Sequence, residues 1–314
     1  MRIAVDAMGG DHAPEEIVRG ALLYRAEGGV AELVLVGREE AVRASLGAAP
    51  RAGITIVDAR DVVEMHEHPS SELRRRSDTS IGVATELVKR GEADAVVSAG
   101  NTGATMASAV LILKRIPGID RPALCGMLPT TKGTPACLID AGATMDAEPQ
   151  NLLQYARMAS RFMERVHGLD RPTVGLMSVG EESGKGGELQ KRTHELLAAA
   201  TDIVVCDGFT GNVLAKGMEG VVDVFREGIR NDIFGGVRGK IAYLFALGGV
   251  RKLRGRLDYD EYASAPLLGV NGVSVVTHGR ARANMLRHAI AVAERSVAQG
   301  LIAVLREQSA SPAA

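Results

Sequence analysis

Two stretches of this 314-residue chain set small polar residues directly after an apolar run: VVSAGNTGATMA at 96–107 and VVCDGFTGNVLAKGMEG at 204–220. In the first, Ser98, Gly100, Asn101, Thr102 and Gly103 can expose backbone N–H groups at the start of the following helix, an arrangement suited to an anion. In the second, Asp207, Gly208, Thr210, Gly211 and Asn212 repeat the pattern. The competing reading is that such turns simply connect strands to helices, with glycine for backbone freedom and Ser or Asn as caps.

A third stretch, DAMGGDHAPEE, offers Gly9 and Gly10 for close backbone approach, Asp6, Asp11 and His12 as polar groups, and Pro14 at a favourable first helical position. Asp11 can equally be an ordinary cap, and His12 a hydrogen-bonded structural histidine. SVGEESGKGGELQ looks at first like a nucleotide-phosphate loop, since Gly180, Gly184 and Lys185 occur in order. However, three rather than four residues separate the glycines, and Gly186 stands where Ser or Thr would bind magnesium. Lys185 is left as either an anion contact or a solvated lysine. LIDAGATMDAEPQ, with Asp140, Gly142 and Asp146, is explained by turn and capping roles. Cys206, beside Asp207, is the one candidate covalent nucleophile, but a buried strand cysteine is the simpler reading because no electropositive neighbour can be named. There is no serine nucleophile elbow, HExxH pair or Cys/His cluster with metal spacing.

These loops must be positioned by the elements around them. RIAVDA, ELVLVG, ITIVDA, DAVVSA, PALCGML, ACLIDA, TVGLMSV, DIVVCD and VSVVTHG read as strands, alternating with helical segments such as EEIVRGALLYRA and REEAVRASLG. Alternation of this kind means βαβ units and a mostly parallel sheet covered on both faces, with ligands bound outside the carboxyl ends of the strands. The expectation is a single three-layer α/β/α domain over 1–314, closed by one long amphipathic helix, ARANMLRHAIAVAERSVAQGLIAVLREQ, and a frayed SASPAA tail.

Bulk properties are those of an ordinary globular chain: 46% hydrophobic, 24% charged, formal charge −1. That balance argues against wholesale nucleic-acid binding. Cys125, Cys137 and Cys206 are too few and too widely spaced for a disulfide framework or a closed zinc site, which fits a reducing cytoplasm. Asp6 interrupts the first apolar run too early for a signal peptide, and no window has eighteen uninterrupted apolar residues.

One segment is strongly one-signed. Residues 233–257, IFGGVRGKIAYLFALGGVRKLRGRL, carry Arg238, Lys240, Arg251, Lys252, Arg254 and Arg256 around an apolar centre that includes Leu244 and Phe245, with no acidic residue. That apolar centre, IAYLFALGGV, is too short to span a bilayer but able to lie at its surface, where anionic lipid attracts roughly 1 kcal/mol per basic residue. It could equally dock an acidic protein, or be a helical arm packed in a dimer interface.

AVDAMGGDHAP, VVSAGNTGA, GIDRPAL, VCDGFTGNV and APLLGVNG, in this order and over essentially the whole chain, resemble the PlsX family, phosphate acyltransferases of bacterial phospholipid synthesis. The resemblance implies transfer of a fatty acyl group from acyl carrier protein to inorganic phosphate, giving acyl phosphate for a membrane glycerol-3-phosphate acyltransferase. It implies a cytoplasmic homodimer, peripherally attached to an anionic membrane through 233–257, with a fold like that of isocitrate dehydrogenases and phosphotransacetylases. No cofactor and no metal are expected. The nucleophile is then itself an anion to be held, desolvated and aimed at a thioester carbonyl, so no covalent side-chain nucleophile is needed. Backbone N–H groups of the Ser98–Gly103 and Asp207–Asn212 turns would bind phosphate, with Asn271 and His278 as further binding candidates. Lys185, Asn101 or Asn212 would stabilise the oxyanion, and His12 or His278 would orient phosphate or assist thiolate departure. Arg74, Arg75 and Arg76, or the basic segment, would steer the acidic carrier protein.

Two departures from the family pattern stand out. A strand and short helix with a pattern like GNxEGRD usually precede the DIVVCD strand, whereas here Ala200 runs straight into Thr201 and Asp202, so that the chain is natively shorter or residues were lost. YASAPLLG also places Ala263 and Ser264 where two glycines are common. The rival classes are an NAD(P)-dependent dehydrogenase of the related fold, for which GxGxxG and an acidic metal cluster are missing, and a non-catalytic anion-binding membrane scaffold.

Overall fold

A computed structural model describes residues 1–67, 69–130, 134–177, 189, 202–234, 236, 241–243, 245–250 and 264–310, apart from the side chains of five of them: Ser70, Glu219, Asp223, Arg226 and Asp232. Lys185, Arg238, Lys240, Leu244, Arg251, Lys252, Arg254 and Arg256 lie outside the described residues, as does the step from Ala200 to Asp202.

The β-branched runs form strands β1 (Arg2–Asp6), β2 (Glu32–Gly37), β3 (Ile54–Asp58), β4 (Ala95–Ser98), β5 (Ala123–Leu128), β6 (Ala136–Ile139), β7 (Val174–Leu176) and β8 (Ile203–Val205), followed by β9 (Ala265–Leu268) and β10 (Val273–Val276). The helices are α1 (Glu15–Ala26), α2 (Glu39–Leu46), α3 (Pro69–Arg75), α4 (Ser80–Lys89), α5 (Thr102–Ser108), α6 (Pro149–His167), α7 (Gly208–Gly228), α8 (Ala283–Ala298) and α9 (Leu301–Ala310). Helix α5 runs on through a π turn, Ala109–Leu113, and α7 through another, Ile229–Ile233.

All ten strands join one sheet in the order β3-β2-β1-β4-β10-β9-β5-β6-β8-β7. Pairing is parallel except where β9 meets β10 and where β5 meets β9 and β6. Those antiparallel steps reverse the second half of the sheet, so β6, β8 and β7 run opposite to β1, β4 and β10. The carboxyl ends of β4 and β8, and the two glycine-rich turns that follow them, therefore lie at opposite ends of the strands.

Helices α1 and α8 bury Ile17, Val18, Leu286 and Ile290 on one face of the first half, while α4 buries Ile81, Ala84 and Leu87 on the other. Helix α6, started by a capping box at Glu148 and Asn151, sinks Leu152, Tyr155, Phe162 and Met163 against β5, β6 and β8. This is the expected three-layer α/β/α arrangement.

Two expectations change, and one covalent link is added. The closing helix is two, α8 and α9, bent by 55°. Gly300 adopts φ +63°, a left-handed conformation that costs an L side chain energy and breaks the amphipathic run. APLLGVNG supplies an unforeseen strand, β9, whose Pro266 faces Val275 in the antiparallel pair. Cys125 and Cys137, on one face of the β5–β6 pair with Cα atoms 6.2 Å apart, are joined as a disulfide, a single cross-strand link.

Candidate active site

The carboxyl ends of β1, β4 and β10 are locked together around Asp6. Its buried carboxylate accepts from the Ser98 hydroxyl at 2.7 Å and from the Met8 N–H at 3.3 Å, and burial pushes its pKa up against the pull of such donors. Gly9 and Gly100 press backbone to backbone above it: a Cβ on Gly9 would meet Asp6 Oδ2 at 2.5 Å and Gly100 N at 2.7 Å. Gly10 sits at φ +106° beneath the Ala99 and Gly279 carbonyls, and the Asp11 N–H donates to the Gly279 carbonyl at 2.9 Å. Asp6, Gly9, Gly10, Ser98 and Gly100 thus build a floor; Asp6 and Ser98 are buried beneath it.

Of the polar residues in the β4–α5 turn, only Thr102 is exposed. The Ser98 hydroxyl donates to Asp6 and accepts from the Gly100 N–H at 3.0 Å. Asn101 caps α5, its Oδ1 accepting from the Ala104 N–H at 3.1 Å, and its Nδ2 clamps the carbonyls of Glu64, Met65 and Glu67. With both ends of its amide engaged, Asn101 positions the loop that carries Met65. Among the hydrogen bonds of the described residues, none is donated by the N–H groups of Asn101, Thr102 or Gly103. Three helix-start donors therefore remain open to an anion.

The β8–α7 turn is organised differently. Asp207 turns back on its own helix: its carboxylate accepts from the Thr210 N–H at 2.9 Å and the Thr210 hydroxyl at 2.7 Å, while the Gly208 N–H donates to the Thr144 carbonyl and the Gly211 N–H to the Asp207 carbonyl. The chain's own oxygens fill this helix start. Gly208 and Gly211 let α7 seat against the β6–α6 turn, where a Cβ on Gly211 would collide with the Asp140 carbonyl. That turn is held by the buried Asp140 carboxylate, which takes N–H donors from Leu124, Gly142, Ala143 and Thr144; burial raises its pKa while these donors oppose the shift. The Cys206 thiol lies underneath, pushed up to about 12 by burial and by the Asp207 and Asp140 carboxylates, and is no nucleophile in this setting.

From this seat α7 crosses the sheet toward the β4 and β10 loops. Asn212 comes beside Gly142, and Lys216, one turn later, places its Nζ 2.8 Å from Nε2 of His278. An ammonium only donates, so Nε2 is the acceptor. Thr102, Asn212, Lys216 and His278 converge on a cleft of about 280 Å³ between α7 and the sheet, with Met65 at its edge. Lys216 was not foreseen; its i, i+4 spacing from Asn212 in GNVLAK was the available signal.

Other expected residues stand apart. Asn271 is at the start of β10, far along the strand from His278, where Nδ2 donates to the Arg115 carbonyl at 2.7 Å and Oδ1 accepts from Arg306 at 3.1 Å. His12, half-buried in the β1–α1 loop, does not line the cleft. Arg76 is tied to Glu67, Glu72 and the Val62 carbonyl, and the exposed Arg75 to Glu72, leaving Arg74, also exposed, with no such tie among the described residues. Among the described residues no three His, Cys, Asp or Glu side chains gather as a metal site, and no single helix is long and apolar enough to cross a membrane.

Comparison with known proteins identifies relatives of this chain. Residues 1–304 match the family model described as fatty acid synthesis protein. A phosphate acyltransferase from Desulforamulus reducens is 45% identical over 331 aligned positions, covering 98% of this chain and 97% of the relative; one from Desulfitobacterium hafniense is 44% identical, with the same coverage. Those 331 positions exceed the 314 residues present, so some face gaps in this chain. A phosphotransacetylase from Streptococcus pyogenes superposes with a TM-score of 0.60 at 18% identity, covering 95% of this chain and 94% of the other, which shows a shared fold.

Proposed function

Since the chain belongs to the PlsX fatty acid synthesis protein family and is a phosphate acyltransferase, we propose that it moves a fatty acyl group from acyl carrier protein to inorganic phosphate by direct attack of phosphate on the thioester. The observation that carries this reading is the meeting of Thr102, Asn212, Lys216 and His278 in one cleft beside the unused N–H groups of the α5 start.

Phosphate sits between those N–H groups, the Thr102 hydroxyl and the Lys216 ammonium. It is already ionised at neutral pH, so no strong base is required. One phosphate oxygen forms a bond to the carbonyl carbon, the carbonyl electrons collect on oxygen, and the Asn212 amide with Lys216 stabilises that oxyanion. The C–S bond then breaks with its electron pair on sulfur, and the thiolate takes a proton through the Lys216–His278 pair or from solvent. Acyl phosphate and the free carrier thiol leave. Cys206 takes no part. Lys185 belongs to the same proposal as an additional anion contact.

Assembly and location extend the proposal: a cytoplasmic homodimer on an anionic membrane, passing acyl phosphate to a membrane glycerol-3-phosphate acyltransferase. Support comes from the outer side of α7, where Val213, Val221 and Val224 are exposed around Gly217 and Gly220, and from Ile241 and Phe245, the latter 89% exposed, inside the basic segment. Phosphate-dependent release of carrier thiol by wild-type protein, Asn212→Ala and Lys185→Ala tests the assignment. Loss in both variants supports the roles given, and unchanged turnover in both removes them.

A further inference from the structure

The cleft has two chemically distinct kinds of lining. Thr102, Asn212, Lys216, Thr277 and His278 are its polar residues, whereas Leu124, Gly126 and Leu128 of β5 with Leu138 of β6 give an apolar floor and Met218 and Val222 of α7 an apolar wall. Leu124, Gly126 and Leu128 alternate with Ala123, Cys125 and Met127, which point into the core under α6. Gly126 opposes Leu138, and the missing side chain deepens the floor where an added Cβ would meet Ala141 Cβ at 3.2 Å. Met218 and Val222, four residues apart, share a helix side. Val222 lies six residues beyond Lys216, about 9 Å along the helix axis. A carbonyl held by Lys216 thus has apolar lining beside it that continues along α7 to Val222.

We propose that this apolar lining receives the acyl chain of the thioester, and that Met218 and Val222 set which chain lengths are accepted. The occupant follows from continuity with the polar residues of the same cleft: the group attached to the reacting carbonyl must extend somewhere dry, and burying each further methylene is favourable. Neither α7 residue has a polar atom to offer the phosphate or the thiol. A saturated, unbranched chain suits a wall built from a flexible methionine and a valine. The inference rests on the proposed acyl transfer.

The test compares kcat/KM for palmitoyl and octanoyl carrier-protein thioesters. In Val222→Phe the palmitoyl-to-octanoyl ratio falls by roughly tenfold or more, because each methylene excluded from such a pocket is worth about that factor; in Val222→Ala the ratio rises. A ratio within about twofold of wild type in both variants overturns the proposal. If Val222→Phe does not fold, Val222→Cys in the intact protein is alkylated with a maleimide. Slower alkylation with a long-chain than with a short-chain non-reactive thioester analogue supports the path, and equal rates overturn it. Wild-type protein run alongside separates the two readings: absence of phosphate-dependent thiol release removes the acyl-transfer proposal, whereas normal release with an unmoved ratio removes only the chain path.

Discussion

The β1–β4–β10 loop junction and helix α7 meet in the same cleft but are built on opposite terms. At the junction, glycines touch one another, Asp6 and Ser98 are buried, and Asn101 spends its amide on backbone groups. On α7, a Cβ added to Gly217 or Gly220 would meet nothing within 4 Å outside the helix itself, and beyond its seat on Asp140–Thr144 the helix reaches the junction through Lys216 and His278. Asp6, Ser98 and the Asn101 side chain, which looked chemical in the junction, are spent on holding it together, whereas in the proposed mechanism α7 supplies the charge and the amide that face the reactants. Damage to the junction should therefore appear mainly as lost stability, and damage to α7 mainly as lost turnover.

The largest effect belongs to the cleft side of α7. Lys216→Ala should lower kcat/KM for phosphate-dependent transfer by about a hundred- to a thousandfold, as expected for removing a main oxyanion donor. Its urea midpoint should stay near wild type. A large loss of stability there would break the contrast.

The reverse pattern is expected at Gly9→Ala. The new Cβ has backbone and a buried carboxylate as neighbours, neither able to give way cheaply, so chemical denaturation should show about 2–3 kcal/mol of destabilisation. Gly217→Ala on α7 gives the control at the small end, with a gain of up to about 1 kcal/mol from helix propensity. Between these lies Asp6→Asn. Because burial raises the folded pKa of Asp6, its contribution is fully present below 3.8 and is lost as pH rises through that raised value. Urea midpoints measured across pH should decline over that window in the wild type and lose this component in the variant. A matching decline in both would assign the slope to other groups.

Much of this architecture was legible in the chain, because alternating β-branched runs and helical periodicity are local signals. The reversal of half the sheet was not, since it depends on β9, a short strand containing Pro266 that reads as loop, inserting between β10 and β5. That reversal also separates the two glycine-rich turns that look alike in sequence. Ser98, Thr102 and Asn212 were readable as polar residues at strand ends, but residue type alone could not say that Ser98 would be buried under Asp6 while Thr102 stayed exposed. Asn271 went to the far end of β10 for the same reason, its partners Arg115 and Arg306 being distant in sequence. Lys216 was visible only as one lysine on a helix until its partner His278 came from sixty-two residues downstream.

Direct attack by phosphate, without a covalent enzyme intermediate, is the central claim, and rapid-quench measurement of carrier thiol with and without phosphate tests it most directly. With phosphate, thiol release should be matched by acyl phosphate formation; without it, no thiol should appear in the first turnover. A burst of thiol equal to the enzyme concentration in the absence of phosphate would contradict the account and require an acylated side chain.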